Sequence, residues 1–151
     1  MHLIKTSIFY SKYRELFTEE VLHTASYICH ELFENDFENE NQKFSYAKSL
    51  LNIYAKSKLV ITSRIHSALP CLALETPVIY INKIEKNEAS SCRLDGLISL
   101  LNVVSLDNNK LIPLFNIPKR KIDINSTIHN NNIHIRLKEN LITMCKDFIG
   151  C

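Results

Sequence analysis

Apolar residues recur at two periods along this chain, and the change of period marks out its elements. Between residues 43 and 56, Phe44, Ala47, Leu51 and Tyr54 stand at i, i+3, i+7 and i+10, while Lys43, Lys48, Asn52 and Lys56 face elsewhere. That spacing predicts an amphipathic helix with one stripe turned to a core. It runs into Leu59-Val60-Ile61-Thr62, a short β-branched run of the kind buried in parallel sheets. A helix-length stretch, residues 65–75, then leads through Thr76-Pro77 to a second apolar run, Val78-Ile79-Tyr80-Ile81. Strand, helix and strand in so short a span predict a compact βαβ unit with a right-handed crossover.

The flanks carry weaker patterns. Residues 3–10 mix apolar and β-branched side chains and predict a first strand. Leu16, Phe17 and Val21, set among Arg14, Glu15, Glu19 and Glu20, predict a short surface helix over residues 13–22. Residues 25–29 fit either an extension of that helix through Ile28, Leu32 and Phe33 or a short strand ending at His30, and periodicity alone favours the helix. The polar stretches 34–42 and 82–91 predict loops. Leu94, Leu97, Ile98 and Leu101 predict a third amphipathic helix, with a strand following near Val103-Val104. Residues 107–128 hold Pro113, Pro118 and the basic trio Lys119, Arg120 and Lys121, and predict irregular structure. Ile133, Leu137, Leu141, Cys145 and Phe148 close the chain with a helix. The order of elements predicts an α/β domain with a Rossmann-like open parallel sheet.

Composition narrows the function. A chain of 151 residues makes one domain that buries roughly 70% of its unfolded surface. Its net charge of +2 is too small and too evenly spread to predict nucleic acid as a partner. No window approaches the ~18 apolar residues of a membrane helix, and no signal-peptide pattern opens the sequence. The expectation is a cytoplasmic protein, at most peripheral to a membrane. The five cysteines are scattered without a CxxC, so neither a disulfide scaffold nor a zinc site is predicted. Gly96 and Gly150 are the only glycines, which excludes a P-loop or GxGxxG fingerprint. An anion must be held by side chains and a helix N-terminus instead.

One segment offers that combination. In open α/β sheets ligands bind beyond the carboxyl ends of the strands. Thr62-Ser63-Arg64-Ile65-His66 lies at such an edge, where a strand gives way to a helix. Helix-opening N–H groups attract an anion. The planar Arg64 guanidinium can grip carboxylate or phosphate in bidentate fashion. The His66 imidazole can give or take a proton near neutral pH. The plainer alternative pairs Arg64 with Glu75 or Asp95 and makes His66 a helix cap or a space filler.

The stretch from Tyr46 to Ile79 resembles the polysaccharide pyruvyl transferase family. It carries the family's helix, buried strand and Thr-Ser/Asp-Arg-Leu/Ile-His, seen here as Thr62-Ser63-Arg64-Ile65-His66. A helix of small and apolar residues follows, then Glu75-Thr76-Pro77-Val78 where the family has Gly-Thr-Pro-Val. Arg93-Leu94-Asp95-Gly96-Leu97 resembles a second family segment, and Cys29-His30 resembles a Thr-His pair ending an earlier strand, which favours a strand at residues 25–29. The likeness runs roughly from residue 25 to 101. Glu75 departs from the pattern, because a glycine there commonly takes the left-handed conformation that a Cβ disfavours by about 1 kcal/mol.

The resemblance implies a glycosyltransferase-B-like architecture of two Rossmann-like halves, with only the C-terminal half present. The chain is then a truncated relative, or its partner half is encoded elsewhere. Within it, residues 25–105 form the family-like core, 1–24 are poorly assigned, 106–131 are irregular and 132–149 are the closing helix. The implied reaction moves a pyruvyl group from phosphoenolpyruvate to a sugar of a polysaccharide or lipid-linked glycan, giving a pyruvate ketal and no call for a cofactor or metal. Arg64 and His66 are its candidate catalytic residues, and Ser63, Ser67, Ala68, His30 and Arg93 its candidate substrate contacts. Two rival readings stand beside it. One is a nucleotide-sugar glycosyltransferase half, against which the scarcity of glycine counts. The other is a non-catalytic remnant binding glycan or a partner chain. A half without its companion exposes apolar surface, which predicts a second half or a homo-oligomer.

Overall fold

The computed structural model describes residues 12–28, 36–83, 96–108, 110–117 and 119–150. Along the chain these form α1 (Glu19–Thr24), α2 (Glu40–Lys56), β1 (Val60–Thr62), α3 (Ile65–Ala73), β2 (Val78–Lys83), a 3₁₀ turn (Ile98–Leu100), β3 (Asn102–Asp107), β4 (Lys110–Pro113) and α4 (Ile133–Ile149). The strand predicted at residues 3–10 lies outside the described residues, as do Cys29, His30 and Arg93.

The local chemistry accounts for the element ends. Asn39 caps α2 by accepting from Gln42 N–H at 3.0 Å, while Gln42 Oε1 accepts from Glu38 N–H at 2.9 Å. These two bonds begin the helix inside the stretch 34–42 predicted as a loop. At the other end of the βαβ unit, Glu75 takes φ +60°. There the Glu75 N–H donates to Leu72 O at 3.0 Å and the Thr76 N–H to Cys71 O at 2.9 Å. These two bonds are the Schellman pattern that stops α3. Thr76 Oγ1 then donates to Tyr54 O at 3.1 Å, tying the turn to α2.

The four strands lie in the order β1-β2-β3-β4. β1 runs parallel to β2, with Val60 opposite Val78, and β2 runs parallel to β3, with Ile79 opposite Asn102. The chain is therefore a mixed α/β protein with an open, mostly parallel sheet. β4 departs from the all-parallel expectation. It returns antiparallel beside β3 through a turn in which Asn108 takes φ +45°. Such tight reversals rest on a residue tolerant of the left-handed region, and asparagine is one.

Side chains alternate across β2. Val78 and Tyr80 join Tyr54, Ala68, Cys71, Leu72, Leu100, Leu101 and Val103 on the face that carries α2 and α3. Ile79 and Ile81 join Leu16, Phe17, Leu22, Val104, Leu111, Ile122 and Ile128 on the opposite face. Both faces of the sheet are thus covered, as parallel strands require. The second cover is mostly irregular chain. Ile122 N–H donates to Leu16 O at 2.9 Å and Thr18 N–H to Ile122 O at 3.0 Å.

Several expectations are corrected here. The helix predicted over residues 13–22 is displaced to Glu19–Thr24, and Phe17 is buried in the core instead of lying on a surface helix. Residues 25–28 form no strand. The predicted helix around Leu97, Ile98 and Leu101 is one 3₁₀ turn among the described residues. The apolar stripe of α2 is largely uncovered: Phe44 is 73% exposed, Leu51 is exposed, and only Tyr54 is buried. In α4 the stripe Ile133, Leu137, Leu141, Cys145 and Phe148 is exposed along its length, and His134 is the buried residue.

Candidate active site

Strand β1 delivers the chain to the sheet's carboxyl edge, and the elbow there is held locally. Thr62 Oγ1 accepts from the Arg64 N–H at 3.1 Å, and Arg64 is extended at φ −108°, ψ 120° as the N-cap of α3. The next turn is built on one carbonyl: Ser67 N–H and Ala68 N–H both donate to Arg64 O, at 3.0 and 3.1 Å. The two first-turn donors left over are those of Ile65 and His66. Pro70 adds an acceptor. Having no N–H, it leaves the His66 carbonyl four residues earlier without its helical donor.

Arg64 and His66 are both exposed, while Ser67 and Ala68 are buried. Arg64, His66, Ser67 and Pro70 line one open groove of about 400 Å³, whose other wall is Ala47, Leu50, Leu51 and Tyr54 of α2. Ser63 is exposed at the elbow but does not line that groove. Arg64 and His66, carrying a guanidinium and an imidazole, therefore border the same groove, at whose edge the first turn of α3 opens. The alternative pairing of Arg64 with Glu75 is ruled out, since Glu75 sits at the far end of α3 and pairs with Lys138 Nζ at 3.3 Å.

The wall from α2 was not legible as part of a site. Its residues carry a helix-period apolar stripe, and such a stripe reads as a core face. Tyr54 is anchored beneath the groove, its hydroxyl 3.3 Å from Ser67 Oγ. That contact ties α2 to the first turn of α3 beneath the groove. No sequence signal marks this pair, which lies thirteen residues apart.

Two candidate chemistries are narrowed by the surroundings. Burial pushes the Cys71 thiol up to about 11, so it remains protonated at neutral pH and serves as a packing residue. Among the described residues, no three of His, Cys, Asp and Glu are grouped to hold a metal ion.

A family model for polysaccharide pyruvyl transferases matches residues 5–82, the N-terminal part of this chain. The matched segment takes in α2, β1, α3 and nearly all of β2, and with them the whole groove lining. It begins earlier than the likeness traced from residue 25, and it ends before Arg93-Leu94-Asp95-Gly96-Leu97. No curated protein and no solved structure matches the chain. With more than half its length matched, and with the strand, elbow and helix of the motif in place around an open groove, the chain belongs to the polysaccharide pyruvyl transferase family.

Proposed function

We propose that the protein transfers a pyruvyl group from phosphoenolpyruvate to two hydroxyls of a sugar in a polysaccharide or lipid-linked glycan. The observation that carries this reading is the exposure of Arg64 and His66 side by side on one groove at the carboxyl end of β1. Arg64 clamps the donor's carboxylate or phosphate, and the N–H group of His66 at the opening of α3 adds a donor to it. Ser67 and Ala68, named above as candidate substrate contacts, do not offer their N–H groups, which already donate to Arg64 O.

His66 acts as general acid at the donor's methylene carbon, a contribution usually worth about 10²–10⁴ in rate. Protonation turns that carbon into a methyl and leaves its neighbour electrophilic. One sugar hydroxyl adds there, and the second displaces phosphate to close the ketal. The two hydroxyl protons end on the new methyl group and on the departing phosphate, with His66 relaying the first. Ser63 hydrogen-bonds the donor from the elbow, and His30 and Arg93, which lie outside the described residues, are further candidate contacts. The reaction so written needs no redox or metal cofactor.

In this reading the chain supplies the C-terminal, Rossmann-like half of a glycosyltransferase-B-like enzyme, and a second half or another copy closes the groove from the other side. The uncovered wall of α2 supports it, since an apolar face beside a charged pair excludes water only when something covers it. No helix among the described residues is long and apolar enough to cross a membrane. A cytoplasmic location, peripheral to the membrane where the acceptor is lipid-linked, goes with this reading.

The test is phosphate release from phosphoenolpyruvate in the presence of a glycan acceptor. Arg64→Ala and His66→Ala should each lower kcat/KM by at least about a hundredfold. Equal release by the parent and both variants would remove the mechanism.

A further inference from the structure

Helix α4 leaves the domain soon after it starts. Of its 17 residues only His134 is buried, and Lys138 Nζ, 3.3 Å from Glu75 Oε1, ties its second turn to the end of α3. From Glu139 to Ile149 every residue is exposed. Eight large apolar side chains of this one helix are between 37% and 91% exposed. Monomers seldom carry contiguous apolar patches beyond a few hundred Å², and larger ones mark interfaces. A standard interface takes about 800 Å² from each partner, and eight such side chains on one helix supply area of that order.

The spacing of the stripe says what kind of partner covers it. Leu137, Leu141, Met144 and Phe148 follow one another at intervals of four, three and four, the a/d alternation of paired helices. At about 100° per residue they share an arc of about 60°, a seam for one neighbouring helix. On the polar side Arg136 and Lys146 stand against Glu139 and Asp147, and their charges cancel. A helix that lies on an anionic membrane carries mostly lysine and arginine there. The seam fits another helix, not a lipid surface.

The stripe is complementary to itself when two copies run antiparallel. In the register that opposes a to d positions, Leu137 of one chain lies level with Phe148 of the other, and Leu141 with Met144. Each layer then sets a longer side chain against a leucine. Arg136 falls on the same flank as Asp147 of the second copy, within one turn of it, so the charges at the rim attract. A parallel pair sets Arg136 beside Lys138 instead, and those like charges oppose it. We infer that α4 is a dimerisation helix, its Leu137, Leu141, Met144 and Phe148 stripe packed antiparallel on the same stripe of a second copy of this chain. The contact is isologous and closes at two copies. It shares no residue with the groove of Arg64 and His66, so it stands or falls apart from the transfer reaction.

Sedimentation equilibrium of the full chain reads the association, with thiol reductant present so that the exposed Cys145 cannot link copies. Across the micromolar range the parent should approach twice the 17.5 kDa chain mass. Leu141→Lys and Met144→Glu should each weaken dimerisation at least about tenfold, since each places a charge in an apolar layer. Both side chains are more than half exposed in the single chain, so melts below the association range should match the parent. Mixed in equal amounts, the two variants should recover dimers, because antiparallel pairing sets the two substituted positions opposite each other in one layer. Arg64→Ala should dimerise like the parent, so a loss of transfer leaves the pairing intact. The proposal is overturned if the parent stays monomeric, if the single variants dimerise like it, or if their mixture recovers no dimer. Cosedimentation of monomers with phosphatidylglycerol vesicles, in place of dimers, would overturn it too.

Discussion

Glu75 stands where the family pattern has glycine, and its backbone takes the conformation that glycine would have taken, at φ +60°. A Cβ in that region costs about 1–2 kcal/mol. The carboxylate also sits at the negative end of α3's dipole, where it is mildly unfavourable. Lys138 reaches across from α4 to offset the charge, but the pair is exposed, with side chains 45% and 71% accessible, so it contributes little. Glu75→Gly should therefore stabilise the protein by about 0.5–1 kcal/mol, after allowing for glycine's greater freedom in the unfolded chain. Urea denaturation checks it, and a lower midpoint in the variant would mean that the ion pair outweighs the strain. The departure was visible in the sequence as a missing glycine. The cation that answers it, 63 residues away, was not.

Among the elements, α2 shows how far periodicity reaches. The spacing of Phe44, Ala47, Leu51 and Tyr54 correctly placed a helix, because residues that share a helical face must recur at that interval. It could not say what would cover the face. Tyr54 goes to the core, Leu51 and Ala47 become a groove wall, and Phe44 is left to solvent. The helix start was misjudged for a different reason: Asn39 and Gln42 look like loop residues, yet in this order they form a cap. Asn39→Ala should destabilise the protein by about 1 kcal/mol. Phe44→Lys, despite the larger chemical change, should alter stability by less than about 0.5 kcal/mol. Thermal and chemical melts of both variants decide whether the cap or the exposed stripe supports the helix.

At the scale of the molecule, the sheet's second cover comes from segments without regular pattern. Ile122 is 1% exposed and Ile128 is 6% exposed, yet both lie in the region the sequence marks as irregular. Ile122→Ala should cost about 2–5 kcal/mol, the range for emptying a buried aliphatic site. Phe148→Lys, at the exposed end of α4, should cost almost nothing in the isolated chain, since Phe148 is 91% exposed. Denaturation of the two variants tests that contrast, and comparable losses would show that α4 packs on the domain.

What the chain's order of residues determined by itself is everything local. The βαβ unit and the strand-to-helix elbow at Thr62-Ser63-Arg64 follow from β-branching and from the change of hydrophobic period. Each is settled by neighbours within a few positions, and so each is legible. Tertiary structure alone decided which stripes would be covered, that Lys138 would answer Glu75, and that Tyr54 would meet Ser67. It also left His134 Nε2 buried without a partner. The physical reason is that burial and hydrogen-bond satisfaction depend on distant chain, and no periodicity within one segment records what another segment will bring to it.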